Sequence, residues 1–152
     1  MRLTDLVAPN AVIPALKVNS KKQALQELAA KAAQLTGQAE RAIFDVLIQR
    51  EKLGSTGVGN GIAIPHGKLA NLGRLFGLFA RLDRPVDFET LDGQPVDLIF
   101  VLLAPESAGA DHLKALAKIA RLLRDPDVAH KLRESRDAAA IYAVLMLEHA
   151  SS

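Results

Sequence analysis

Two stretches of this chain limit its fold more than any other feature: residues 75–82 and 96–104, each almost continuously apolar. Both have strand length, and strands covered on both faces look like this. Between them Asp92-Gly93 is a turn signal. The covering layers must come from the flanking segments, which carry helical patterns. Ser20 and Gln23 have capping-box spacing and open a helix with Ala24, Leu25, Leu28, Ala32 and Leu35 on one face. Gly37 stops it. A second helix spans about Gln38 to Lys52, with Ile43, Val46 and Leu47 as its apolar stripe and Arg41, Asp45, Gln49 and Lys52 on its polar face. Asp111, Asp125 before Pro126, and Asp137 read as caps of three closing helices, the first reaching about Arg124. Residues 12–16 form a short strand, which Pro14 confines to an edge or an end. The expectation is an α/β (α+β) fold, a single domain over residues 1–152 with a mixed β-sheet flanked by α-helices on both faces.

The size agrees with one domain. A chain of 152 residues buries roughly 70% of its unfolded surface and needs no metal or disulfide staple. It has no cysteine, which removes disulfides, thiolate zinc sites, iron–sulfur clusters and cysteine nucleophiles. The 19 basic and 17 acidic residues leave a net charge of only +2, which gives nucleic-acid binding no support. The longest apolar run, residues 138–147, is half the length of a membrane span of about 20 residues. The first residues carry no apolar signal core. A cytoplasmic protein without membrane insertion is expected.

Three polar residues occupy positions where the pattern calls for apolar or neutral ones. His66 sits between Pro65 and Gly67, after a glycine-rich loop over residues 54–61 and a short apolar run from Ile62 that proline stops. Proline restricts one backbone angle and glycine permits close approach, so the imidazole has a defined direction. The upstream glycines would let backbone amides approach an anion. Arg50 lies seven residues after Ile43, four after Val46 and three after Leu47, so it continues the apolar stripe of its helix. Its planar fork suits phosphate. His112 heads a stripe completed by Leu116, Ile119 and Leu123, while Lys114, Lys118 and Arg121 face solvent. Each also has a structural explanation: a histidine in an ordinary turn, a cation favoured by the last helical turn, a satisfied half-buried histidine. The dipole of the helix disfavours a charged His112 and Asp111 favours one, so its charge state stays open.

Together the three residues form a phosphoryl-transfer constellation. One neutral histidine nitrogen attacks phosphorus while the other is held, and a guanidinium and a second histidine stabilise the equatorial oxygens. Positioning and positive charge suffice, so neither metal nor cofactor is called for. Rival chemistries fit worse. Gly67-Lys68 is followed by Leu69, not Ser or Thr, so this is no Walker A loop. The glycine spacing is not the dinucleotide fingerprint, and no serine nucleophile elbow is present. No histidine pair has helical metal-ligand spacing; His130 and His149 read as surface residues. Ile62, Ile64 and Leu69 are the expected apolar rim of the site.

The segment Val58-Gly59-Asn60-Gly61-Ile62-Ala63-Ile64-Pro65-His66-Gly67-Lys68 strongly resembles the mannitol/fructose-type IIA family of the bacterial phosphotransferase system, and most of all its nitrogen-regulatory branch, IIA-Ntr. The resemblance extends over Leu91-Asp92-Gly93-Gln94-Pro95-Val96-Asp97-Leu98, Leu102-Leu103-Ala104-Pro105-Glu106 and His112-Leu113, nearly the whole chain. It implies a mixed sheet flanked by helices on both sides. It implies that His66 is the phosphoryl acceptor, with Arg50 and His112 as the accessory arginine and histidine, and that the donor is the phosphohistidine of a small carrier, HPr or NPr. It further implies a phosphohistidine carrier that signals to regulatory target proteins. A sugar-specific fructose or mannitol IIA, passing phosphate to a separate IIB protein, is the alternative.

Overall fold

The computed structural model describes the backbone of residues 2–151 and the side chains of residues 2–147. A 3₁₀ turn at Leu3–Asp5 leads into strand β1 (Val12–Leu16), then helices α1 (Lys21–Thr36) and α2 (Glu40–Lys52). Three short strands follow, β2 (Gly57–Gly59), β3 (Ile62–Ala63) and β4 (His66–Leu69), and then the long strands β5 (Phe76–Val86) and β6 (Val96–Pro105). Helices α3 (Ala110–Arg124), α4 (Pro126–Glu134) and α5 (Ala138–Ser151) close the described chain.

The six strands form one sheet in the order β1-β5-β6-β3-β2, with β4 also paired to β6. β5 and β6 are antiparallel, and β1, β3 and β4 join as parallel neighbours, so the sheet is mixed. The two apolar runs are therefore its centre. Every residue from 98 to 104 is buried, which is possible only with both faces covered. α1 packs on β5 and α2 on β4, while α3 meets β6 and β2 and α5 meets β1. Phe79 and Phe100 face each other across the central pair, ring centroids 6.4 Å apart and near edge-on. Each such buried ring contributes about 1.5–3 kcal/mol relative to exposure. β1 lies at the sheet edge, where Pro14 costs no ladder bond.

Most local signals hold. Gly37 adopts φ 77° and ends α1, and the side chains of Asp125 and Asp137 accept from Asp127 N–H at 2.9 Å and Ala140 N–H at 2.8 Å. Three expectations need correction. Ser20 Oγ accepts from Gln23 N–H at 3.1 Å, but Gln23 Oε1 accepts from Asn19 N–H at 2.7 Å, so the reciprocal half of the capping box is displaced by one residue. Asp111 does not cap α3; Gly109 is the cap residue, at φ 58°, with no side-chain hydrogen bond. The chain needs a sharp turn there, and glycine supplies the backbone angle where an aspartate cap would require an extended one.

The third correction concerns the route to His66. The glycine-rich segment is no open loop: β2 and β3 form an antiparallel hairpin with Asn60 and Gly61 at its tip, both at positive φ. Pro65 interrupts the strand, which breaks at residues 64–65, but it does not divert the chain. Ile62 pairs with Leu98 and His66 with Leu102, so β3 and β4 run along β6 in one unbroken register. Pro65 removes only a donor, and its carbonyl still accepts from Leu102 N–H at 3.0 Å. Ile64 N–H turns to the other side and donates to the Thr56 carbonyl at 3.0 Å.

Candidate functional site

The structure brings His66, Arg50 and His112 together. Gly67 is what lets α2 come close to β4. A Cβ at that position would stand 2.1 Å from Val46 Cγ1. With no side chain in the way, Arg50, one turn beyond Val46, reaches the imidazole: its Nε lies 3.4 Å from His66 Nε2, a long hydrogen bond. The same guanidinium donates from Nη1 to the Gly54 carbonyl at 2.9 Å, which aims its fork across the site.

His66 is half-buried, and its Nδ1 lies 2.8 Å from the Ile64 carbonyl oxygen. A carbonyl only accepts, so Nδ1 carries the proton and the lone pair belongs to Nε2. Burial is the main cause that pushes the His66 pKa below the ordinary 6.5; the Ile64 hydrogen bond opposes it, Arg50 adds to it and Glu51 opposes it. The neutral, nucleophilic form is thus the stable one at neutral pH.

His112 faces His66 across the site, ring centroids 5.6 Å apart at 59°. Its Nε2 is buried without a hydrogen-bond partner. Whether this nitrogen donates or accepts depends on the tautomer of the ring. Burial again leads in lowering its pKa, followed by His66 and Lys68. The opposing influence expected from Asp111 does not govern it.

A groove of about 380 Å³ opens beside His66 and Arg50, with Val58, Leu113, Leu116, Ala117 and Ala120 in its walls. Of the expected rim only Ile64 lines this groove; Ile62 and Leu69, 1% and 4% exposed, belong to the core, and the exposed apolar residue is Leu113 at 66%. Alternation along a strand cannot say which face is open when helices cover both. A larger groove of about 780 Å³ runs past Asp5, Arg74 and Asp111, and neither Arg50 nor either of the two histidines lines it. His130 is exposed and pairs with Glu134 one helical turn on, at 3.7 Å. The side chain of His149 lies outside the described residues.

Sequence reasoning missed two buried polar neighbours, Glu51 and Thr56, at 6% and 5% exposure. A signal existed for the first. Glu51 lies four residues after Leu47 and eight after Ile43, on the buried stripe itself.

The fold is that of solved IIA proteins. The IIA-Ntr nitrogen regulatory protein of Neisseria meningitidis superposes with a TM-score of 0.89 at 35% identity, covering 94% of this chain and 98% of that one. The mannitol IIA of Escherichia coli shares the fold at a TM-score of 0.76 and 18% identity, covering 91% and 97%. The chain belongs to the family described as "Phosphoenolpyruvate-dependent sugar phosphotransferase system, EIIA 2", whose profile matches residues 5–147, and is thus a component of a phosphotransferase system. A "Nitrogen regulatory protein" of Bradyrhizobium diazoefficiens is 76% identical over 100% of this chain and 99% of its own length. One of Pseudomonas aeruginosa is 42% identical over 96% of each. A fructose-specific EIIABC component of Bacillus subtilis is 32% identical over 95% of this chain, which spans only 23% of that protein. No helix among the described residues is long and apolar enough to cross a membrane.

Proposed function

We propose that this protein, acting as one domain over residues 1–152 in the cytoplasm, is a nitrogen-regulatory IIA phosphocarrier. It takes a phosphoryl group on His66 from the phosphohistidine of NPr or HPr, and its phosphorylation state is read by regulatory target proteins. The observation that carries the reading is the tethered imidazole: Nδ1–H donates to the Ile64 carbonyl and Nε2 keeps its lone pair beside Arg50. The high identity to nitrogen regulatory proteins over the full chain supports this branch over the sugar-specific alternative.

The chemistry follows from the geometry. The Nε2 lone pair forms the new N–P bond, and the donor's imidazole leaves with the electron pair of the old one. Nδ1 keeps its proton on the Ile64 carbonyl throughout, so no base is needed. Arg50 and His112 donate to the equatorial oxygens as charge spreads over them. No metal or cofactor takes part. Phosphorylation adds up to two negative charges in the groove lined by Leu113 and Val58, which changes which partners can dock.

The test is intact-mass spectrometry after incubation with phosphoenolpyruvate, Enzyme I and either NPr or HPr. One acid-labile phosphoryl group is expected, absent from His66→Ala. Acceptance retained in that variant, or no addition with either carrier, would refute the reading.

A further inference from the structure

Glu51 is a charged side chain placed in the core one residue beyond Arg50. Its carboxylate is 2% exposed and is paired with Lys21 Nζ at 2.8 Å. It also accepts from the Thr56 N–H, at 3.2 Å and 3.3 Å to its two oxygens, and from the Thr56 hydroxyl. Lys21 is held in turn by the Phe88 carbonyl at 3.4 Å and the face of the Phe88 ring at 5.4 Å. A buried ion pair gains little over well-packed apolar residues, because desolvation offsets its attraction. Stability alone therefore does not explain it.

What the pair holds is Thr56, the residue to which the Ile64 backbone is tied. The Thr56 carbonyl accepts from Ile64 N–H at 3.0 Å, and the Ile64 carbonyl accepts from His66 Nδ1 at 2.8 Å. Only two residues, Thr56 and Ile64, separate the buried carboxylate from the imidazole. The rest of this segment is tied just as firmly: Ser55 Oγ donates to the Phe88 carbonyl at 2.9 Å and accepts from Gly57 N–H at 3.0 Å. Arg50, next to Glu51 on α2, binds the Gly54 carbonyl.

We propose that Glu51, held by Lys21, is a positioning residue for phosphoryl transfer: through Thr56 and Ile64 it sets the orientation and tautomer of His66. The inference rests on His66 being the acceptor, but it makes a claim about the unphosphorylated protein too. Small displacements of a reacting group cost about ten- to a hundredfold in rate.

Two readouts separate positioning from bracing. ¹⁵N NMR of the His66 ring in the unphosphorylated protein reads the tautomer, and single-turnover phosphorylation gives the maximal rate and the half-saturating donor concentration. In wild type, Nδ1 should be protonated and Nε2 bare. Glu51→Gln should mix the tautomers and lower the maximal rate about ten- to a hundredfold, with half-saturation unchanged because the apolar groove is untouched. Thr56→Val should act in the same direction and Thr56→Ser should restore wild-type behaviour. That pair decides the question if Glu51→Gln does not fold. Folded Glu51→Gln or Thr56→Val proteins that keep the wild-type tautomer and maximal rate, losing only thermal stability, would overturn the proposal. Failure of wild type to accept phosphate would instead overturn the proposed function, and the tautomer comparison would still decide the role of Glu51.

Discussion

The site has two walls, and they are built differently. On the strand side, His66, Arg50 and residues 54–57 are tied by hydrogen bonds to carbonyls and to the buried Glu51. On the helix side, α3 begins at Gly109 without a side-chain cap, His112 Nε2 has no partner, and Leu113 stands out in solvent. One wall is prepaid in contacts within the chain. The other carries an exposed apolar side chain and a ring nitrogen without a partner in the chain. The difference fits a group-transfer site, where the nucleophile must hold still and the opposite face must meet something that arrives.

Removing the cation breaks the comparison most directly. Arg50→Ala should lower the single-turnover rate of phosphoryl acceptance by about 10³ while thermal unfolding changes little, because in the proposed role the guanidinium serves developing charge more than packing. Normal kinetics in that variant would leave the strand wall with no anion-binding role. On the helix wall, His112→Ala should slow transfer by about 10²–10³ without abolishing it, as expected for one lost transition-state hydrogen bond. An equal rate would reduce His112 to packing.

Leu113→Ser separates docking from chemistry. It should raise the half-saturating donor concentration about five- to tenfold and leave the maximal rate alone, since a peripheral apolar contact serves association. A change in maximal rate instead would place Leu113 among the positioning residues.

The smallest effect concerns pH. Both histidines keep their pKa below the ordinary 6.5, chiefly through burial. Just under that value the unfolded chain binds more protons than the folded one. The stability tied to these two rings is therefore complete above 6.5 and is lost as pH falls toward their lowered values. Denaturant unfolding at pH 7.5 and 5.5 should show that loss in wild type and less of it in a His66→Asn/His112→Asn protein. Phosphoryl acceptance should decline over the same acid range, because protonation removes the Nε2 lone pair.

Much of the fold was legible because its signals are local. The runs at 75–82 and 96–104 are β5 and β6, and Gly37, Asp125 and Asp137 mark the helix ends where expected. The errors came where neighbours decide. The glycine-rich segment did carry a hairpin signal, Asn60-Gly61 between Val58 and Ile62, which its other glycines masked; in the fold β3 pairs with β2 on one side and with β6 on the other. Proline at 65 reads as a stop, yet the ladder tolerates one missing donor when the strand on its flank is long. Glu51 was as visible on the α2 stripe as Arg50 was, but a lone carboxylate carries no meaning until Lys21 and Thr56 stand beside it.

By itself, the sequence determined that a buried sheet would be wrapped by helices, because apolar run length and helix period follow from side-chain chemistry alone. It also singled out Arg50 and His112, because a polar residue on an apolar stripe is conspicuous in one dimension, and His66, because proline and glycine flank it. Only the tertiary structure decided that the three meet at one place, which nitrogen of His66 keeps its lone pair, and which apolar residues form the open rim. Those depend on contacts between segments far apart in the chain, and such contacts exist only once the sheet has brought β4, α2 and α3 together.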